Sequence, residues 1–252
     1  MRLRIKHALA VLCAAVAPVA AAPAASAMTV QPVVVDLQNA GSGMSQVITV
    51  ENTFATPLPV ELTVQGLELQ EAGVKQTRID PGDLLVFPPQ ALIEPGQTQT
   101  FRVQYIGDPE LAASKHYYVT VAQLPVKLPE GQSGIQILYN FQVLVSVAPG
   151  GAKPALSVQA AGVGHNAQGK PVPELTVTNA SPAHGYLSNG QLRIVAKRPS
   201  GETVLSRSLS GAEIQQTIGF GLIGGGQTRK ITVPIELPAE DLSVEATYAS
   251  GS

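Results

Sequence analysis

Cysteine is almost missing. Cys13 is the one cysteine among 252 residues, so no disulfide can form within the chain. Such a chain is held together by core burial. Tryptophan is absent, aromatic residues make up 4% and charged residues 13%. The low charge and the near balance of its signs exclude the electrostatic footprint of a nucleic-acid binder. Past Val19 no apolar run approaches the ~20 residues that a membrane helix needs, so no membrane insertion is expected. Catalytic signatures are missing too. The sequence contains no G-x-S-x-G and no H-E-x-x-H. His116, His165 and His184 are scattered, without a second ligand at metal-binding spacing. These absences argue against an enzyme, a metal and a cofactor.

The first 27 residues read as a signal peptide. Arg2, Arg4 and Lys6 form a positive start, Ala8 to Val19 is apolar, and Ala25-Ser26-Ala27 is a small-residue cleavage signal. The mature chain is expected to begin at Met28 and to be soluble. Ala10-Val11-Leu12 before Cys13 is a poor lipobox, so Cys13 is read as part of the apolar segment. Residues 28–252 then carry 13 Lys and Arg against 18 Asp and Glu.

Gly (24) and Pro (20) are plentiful and separate many short Val, Thr and Leu runs, which marks an all-β chain. Strands are expected at Met28–Leu37, Gln46–Glu51, Val60–Leu69, Leu84–Phe87, Thr98–Tyr105 and Tyr117–Val126. Glu94-Pro95-Gly96-Gln97 is a tight turn. The most regular stretch is Ile135–Val147. Its odd positions Ile135, Ile137, Tyr139, Phe141, Val143, Val145 and Val147 are all apolar, and its even positions are mostly polar. As one strand it would span ~43 Å, about twice the usual length. Seven or more strands before Pro149 fit an immunoglobulin-like sandwich. Pro149–Pro154 reads as an interdomain linker. Beyond it, strands are expected at Ala155–Ala161, Glu174–Asn179, Gln191–Lys197, Thr203–Leu209, Arg229–Glu236 and Leu242–Tyr248. They would form a second, smaller β-sandwich. The domains are thus 28–149 and 155–252, and no helix is expected.

Two motifs invite a functional reading and do not carry it. Gly219-x-Gly221-x-x-Gly224 matches a dinucleotide fingerprint, which requires a strand before it and a helix after it. More glycine and then a strand follow, so it reads as a loop. Asn179-Ala180-Ser181 matches a glycosylation sequon, a pattern short enough to occur by chance.

Several features occur in a recognisable order. They are Val86-Phe87-Pro88-Pro89, the Ile93–Gln97 turn, Phe101-Arg102-Val103, Tyr117-Tyr118 leading to Leu124-Pro125, and the long alternating strand closing at Pro149. From about Thr29 to Pro149 the chain resembles the PapD-like periplasmic chaperones of chaperone–usher systems. The second half agrees in length and β character. The resemblance implies two immunoglobulin-like β-sandwich domains in a boomerang arrangement, in the periplasm. It implies a chaperone that binds and stabilises pilus or fimbrial subunits by donor-strand complementation and delivers them to an outer-membrane usher. The lent residues by position are Ile135, Ile137, Tyr139 and Phe141.

One departure stands out. The family anchors the subunit's C-terminal carboxylate with two basic residues. Counting back from Pro149 puts one at Leu144 and the other near Val34 or Val35, and none of these is basic. The Arg often found before the closing Pro is Ala148. Asn140 and Gln142 are the polar candidates for cleft contacts. The competing reading is a secreted structural or adhesive β-sandwich such as a pilus subunit. It fits less well, because the long strand lies inside the chain, ahead of a second domain.

Overall fold

The structure, a computed structural model, describes residues 28–77, 80–126 and 137–251. The leader expected at 1–27, with Cys13, lies outside the described residues, and so does Ile135.

The first sandwich starts with β1 (Met28–Gln31) and β2 (Val34–Gln38). One strand was expected here, and Pro32 divides it. Proline offers no N–H to a ladder, and after it the chain changes sheets. Then come β3 (Ser45–Asn52), β4 (Leu58–Gln70), β5 (Gly73–Gln76), β6 (Leu84–Phe87), β7 (Gln90–Ile93), β8 (Thr98–Tyr105), β9 (Lys115–Gln123) and β10 (Asn140–Ala148). One sheet has the order β1-β3-β8-β6, and the other β2-β10-β9-β4-β5 with β7 also on β4. Alternation along each strand sends every second side chain between the sheets. Ile48 and Val50 of β3, Phe101 and Val103 of β8, Val119 and Val121 of β9, and Val143, Val145 and Val147 of β10 are all buried there.

The second sandwich contains β11 (Leu156–His165), β12 (Pro171–Asn179), β13 (Gly185–Tyr186), β14 (Gly190–Lys197) and β15 (Thr203–Leu209). A helix α1 (Gly211–Ile218) follows, then β16 (Leu222–Ile223), β17 (Thr228–Thr232) and β18 (Ser243–Ser250). The sheets are β11-β12-β17 and β15-β14-β18, with β13 paired to β16. Leu175, Val177, Leu192, Ile194 and Val244 fill the core.

The helix corrects the expectation of none. Its eight residues bury only Ile214, so no helical period is visible. The available signal was local: Ser210 and Glu213 form a reciprocal capping box. Gly219 caps this helix, so the G-x-G-x-x-G run follows a helix instead of preceding one. The run is a loop only in part, because Leu222–Ile223 within it form β16, and among the described residues no helix follows it.

Among the described residues, hydrogen bonds join the sandwiches at two patches. In one, Arg229 of β17 donates from Nε to the Gln70 carbonyl and from Nη2 to the Gly73 carbonyl, at 3.1 and 2.8 Å. Lys230 beside it meets Glu71 at 3.0 Å. The other patch belongs to the site below.

Candidate functional site

The site is built on the unequal edges of β10. Along one edge, β9 pairs it antiparallel from Asn140↔Ala122 to Val147↔Lys115. Along the other, β2 pairs it in parallel only from Leu144↔Val34 to Ala148↔Gln38. The first bond on that side runs from the Leu144 N–H to the Val33 carbonyl, at 3.0 Å. No described strand pairs with Asn140–Val143 on this side. An unpaired row of N–H and C=O groups is a template for another strand.

The apolar row of β10 changes character along its length. Val145 and Val147 are fully buried and Val143 is 1% exposed. Phe141 is half-buried at the rim of the core. Tyr139 is 37% exposed, its ring 5.8 Å from that of Phe54, and Ile137 is 70% exposed. The row runs out of core at Phe141. Among the described residues the strand starts at Asn140, and Ile137–Tyr139, which the alternation assigns to it, lie outside. Its pairing reaches one residue further back, since the Gln123 N–H donates to the Tyr139 carbonyl at 2.9 Å. Beyond Gln123 the β9 chain turns to β4, where the Leu124 N–H donates to the Pro59 carbonyl. Pro125 then has no N–H to give.

Asn140 and Gln142 are exposed and alternate with the core row, so they lie on the outward face of the sheet. Leu144 is on that face as well, beside Val34, while Val35 is buried in the core. These are the positions where the sequence resemblance called for cations, and the ladder places the two of them side by side.

Deeper on the same face is a polar cluster that the sequence did not reveal. Ser146 pairs with Asp36 on one side and His116 on the other, which aligns three polar side chains across β2, β10 and β9. The second sandwich closes over them. His184 Nε2 is 2.9 Å from Asp36 Oδ1, and the Tyr186 hydroxyl donates to the same oxygen at 2.7 Å. Ser114 Oγ accepts the His184 N–H at 2.8 Å and lies 3.0 Å from His184 Nδ1. His116 Nδ1 is 2.9 Å from Ser146 Oγ, and its ring meets that of His184 edge-on at 5.4 Å.

Hydroxyl, imidazole and carboxylate do line up in Ser114, His184 and Asp36. The imidazole is only 6% exposed, and the hydroxyl is occupied by a backbone donor. The arrangement is an interdomain tie. Among the described residues no group of three or more His, Cys, Asp or Glu is placed to hold a metal.

The electrostatics follow from burial. Burial raises the Asp36 carboxyl, but hydrogen bonds from His184 and Tyr186 outweigh it and hold the group below the usual carboxylate range. Burial pushes the His116 imidazole down to about 3, helped by His184 and Arg229 against the pull of Asp36. Among the described residues its buried Nε2 has no hydrogen-bond partner.

The family model for the pili and flagellar-assembly chaperone, PapD N-terminal domain, matches residues 27–153. The chain belongs to the PapD-like chaperone family. No curated protein matches it by sequence. Solved structures do resemble it. The YadV chaperone is 14% identical, with 88% of this chain and 91% of that one covered and a TM-score of 0.53. The class 5 fimbriae chaperone CfaA is 11% identical over 87% of this chain and 98% of that one, with a TM-score of 0.51. The CsuC–CsuE chaperone–tip subunit complex of Acinetobacter baumannii gives 11%, 82% and 91%, with a TM-score of 0.50. At such identities the likeness shows the fold, two immunoglobulin-like sandwiches.

Proposed function

We propose that the chain is a periplasmic chaperone of pilus or fimbrial subunits, acting by donor-strand complementation. The observation that carries this is the half-paired strand. Asn140–Val143 of β10 offers a free ladder edge next to the exposed Ile137 and Tyr139, while the rest of the strand is locked into the core. A subunit lacking a strand supplies the missing partner. Each large apolar side chain it buries contributes roughly 1.5–3 kcal/mol. Each ladder hydrogen bond adds a net ~0.5–1.5 kcal/mol. The lent side chains are Ile135, Ile137, Tyr139 and Phe141, and the loaded chaperone passes its subunit to an outer-membrane usher. The family supports this reading, and so does the leader expected at 1–27, which would export the chain. A pilus subunit would leave its own sandwich incomplete, whereas β10 fills the first sandwich here. The test is co-expression with a pilus subunit of the same organism. Ile137→Asp should abolish co-purification of a subunit that the unaltered chain captures. Capture at the unaltered level would overturn the reading.

A further inference from the structure

The free edge of β10 ends beside a carboxylate. A strand added along Asn140–Val143 occupies the slot that β2 fills further on, so its end abuts Val33 and Val34. Val34 and Leu144 lie there on the outward face, and both are apolar. Asp36 comes next on that face, two residues further along β2 and ~6.6 Å away at the usual strand rise. The outward positions of β2, β10, β9 and the part of β4 paired to β9 include no lysine or arginine. The acidic side chains on them are Asp36 and Glu61.

Asp36 is half engaged. His184 and Tyr186 both bind Oδ1. Among the described residues no hydrogen bond reaches Oδ2, and the side chain stays 53% exposed. Its charge persists at neutral pH, because those two bonds favour the carboxylate. A terminal carboxylate arriving here would meet two apolar side chains and a like charge. An ammonium or guanidinium would meet an ionised acceptor held in place by two donors.

We propose that Asp36 is the polar anchor of the cleft, taking a lysine or arginine side chain of the captured subunit through Oδ2. This rests on the donor-strand reading above and names the chemistry that the bound segment carries. The subunit is selected by a cation at the end of the added strand, and its own C-terminus is not the anchor.

The experiment uses the full chain, co-expressed with a pilus subunit of its own organism. Asp36→Asn keeps an acceptor for His184 and Tyr186 and removes the charge. It should stay folded, melting somewhat below the unaltered chain, and lower the yield of complex at least about tenfold, as loss of an interfacial charge pair does. Asp36→Glu should retain capture. A Gly-Ser extension of the subunit's C-terminus should change nothing. Salt gives a readout that needs no variant. Capture by the unaltered chain should weaken towards about 1 M sodium chloride, where the screening length is ~3 Å. The proposal falls if Asp36→Asn captures normally, if salt has no effect, or if the C-terminal extension abolishes capture. Ile137→Asp separates the two levels. If it loses capture while Asp36→Asn does not, only the anchor is wrong. If it captures normally, or the unaltered chain captures nothing, the donor-strand reading fails and the anchor with it.

Discussion

Asn52 and Asn179 hold the same corner in the two sandwiches. Each ends a strand, β3 or β12, and each is fully buried. Asn52 donates to the Thr56 carbonyl and accepts the Phe54 N–H. Asn179 donates to the Ala183 carbonyl and accepts the Ser181 N–H. Asn52 also donates to the Ile93 carbonyl, just before a tight turn, and Asn179 to the carbonyls of Ile223 and Gly224, at the start of the matching turn. Those turns end alike, in Gly96-Gln97-Thr98 and Gly226-Gln227-Thr228, with φ of 71° and 67° at the two glycines. The Asn52 N–H then donates to Gln97 and the Asn179 N–H to Gln227. One local solution is built twice, 127 residues apart in the chain.

Replacing either asparagine should therefore cost about the same. Alanine at either position leaves at least two buried backbone groups without partners, at ~1–3 kcal/mol each. Asn52→Ala and Asn179→Ala should each destabilise by roughly 2–5 kcal/mol in denaturant unfolding. The amide of Asn179 is engaged on both its oxygen and its nitrogen, which leaves no free face for a glycan at the sequon. A loss below about 1 kcal/mol at either site would refute the shared role.

The strands were the legible part, for a physical reason. Thr98–Tyr105, from its alternation, Leu84–Phe87, from an apolar run stopped by Pro88-Pro89, and Thr203–Leu209 match the strands expected from the sequence. Alternation reads which side chains face a core, and these strands have one. It cannot read where the core ends, so Ile137 and Tyr139 look like strand residues by pattern while lying outside the strand. The tie was invisible for another reason. Asp36, Ser114, His116, Ser146, His184 and Tyr186 meet only because β10 lies between β2 and β9, and the second sandwich folds over them. No local spacing encodes that. His116 and His184 looked isolated in the sequence and are in ring contact in the fold.

His116 should make the protein acid-sensitive. Its folded value lies near 3, below the ~6.5 of an unfolded histidine. The unfolded chain therefore takes up a proton, as pH falls through ~6.5, that the folded chain refuses. This contribution is complete above ~6.5 and is lost on acidification towards 3, at up to ~1.4 kcal/mol per pH unit. Asp36 adds its loss only below the ordinary carboxylate range, so pH 6.5 to 4.5 isolates the histidine. Over that interval the unaltered chain should lose about 2 kcal/mol more than His116→Gln. Parallel stability curves would remove His116 as the cause.

We place the domain boundary at Pro149–Pro154. The two hydrophobic cores draw their residues from either side of it. Gly150, Gly151 and Lys153 are exposed and invite cleavage. Limited proteolysis with an enzyme tolerant of small residues should release a stable fragment of about Met28–Pro149. Release should be slow while the ties at Asp36 and Arg229 hold, and faster in Arg229→Ala. Fragments that never include a stable N-terminal half would move the boundary.

The sharpest expectation concerns the gradient along one row of one strand. Ile137 and Val145 share a parity in the sequence, yet one is 70% exposed and the other is fully buried. A carboxylate at 137 meets water in the free protein and costs little. In the complex it must enter an apolar groove without a partner, at several kcal/mol. A carboxylate at 145 meets the core at once. Ile137→Asp and Tyr139→Asp should melt within a few degrees of the unaltered chain and lose the subunit. Val143→Asp and Val145→Asp should unfold the first sandwich, so they lose the subunit only because they lose the fold. Phe141→Asp, at the rim, should show part of both effects. Thermal melting and subunit co-purification on each variant separate the two causes. If Ile137→Asp melts like Val145→Asp, the outer part of the row is core, and no part of it is free to be lent.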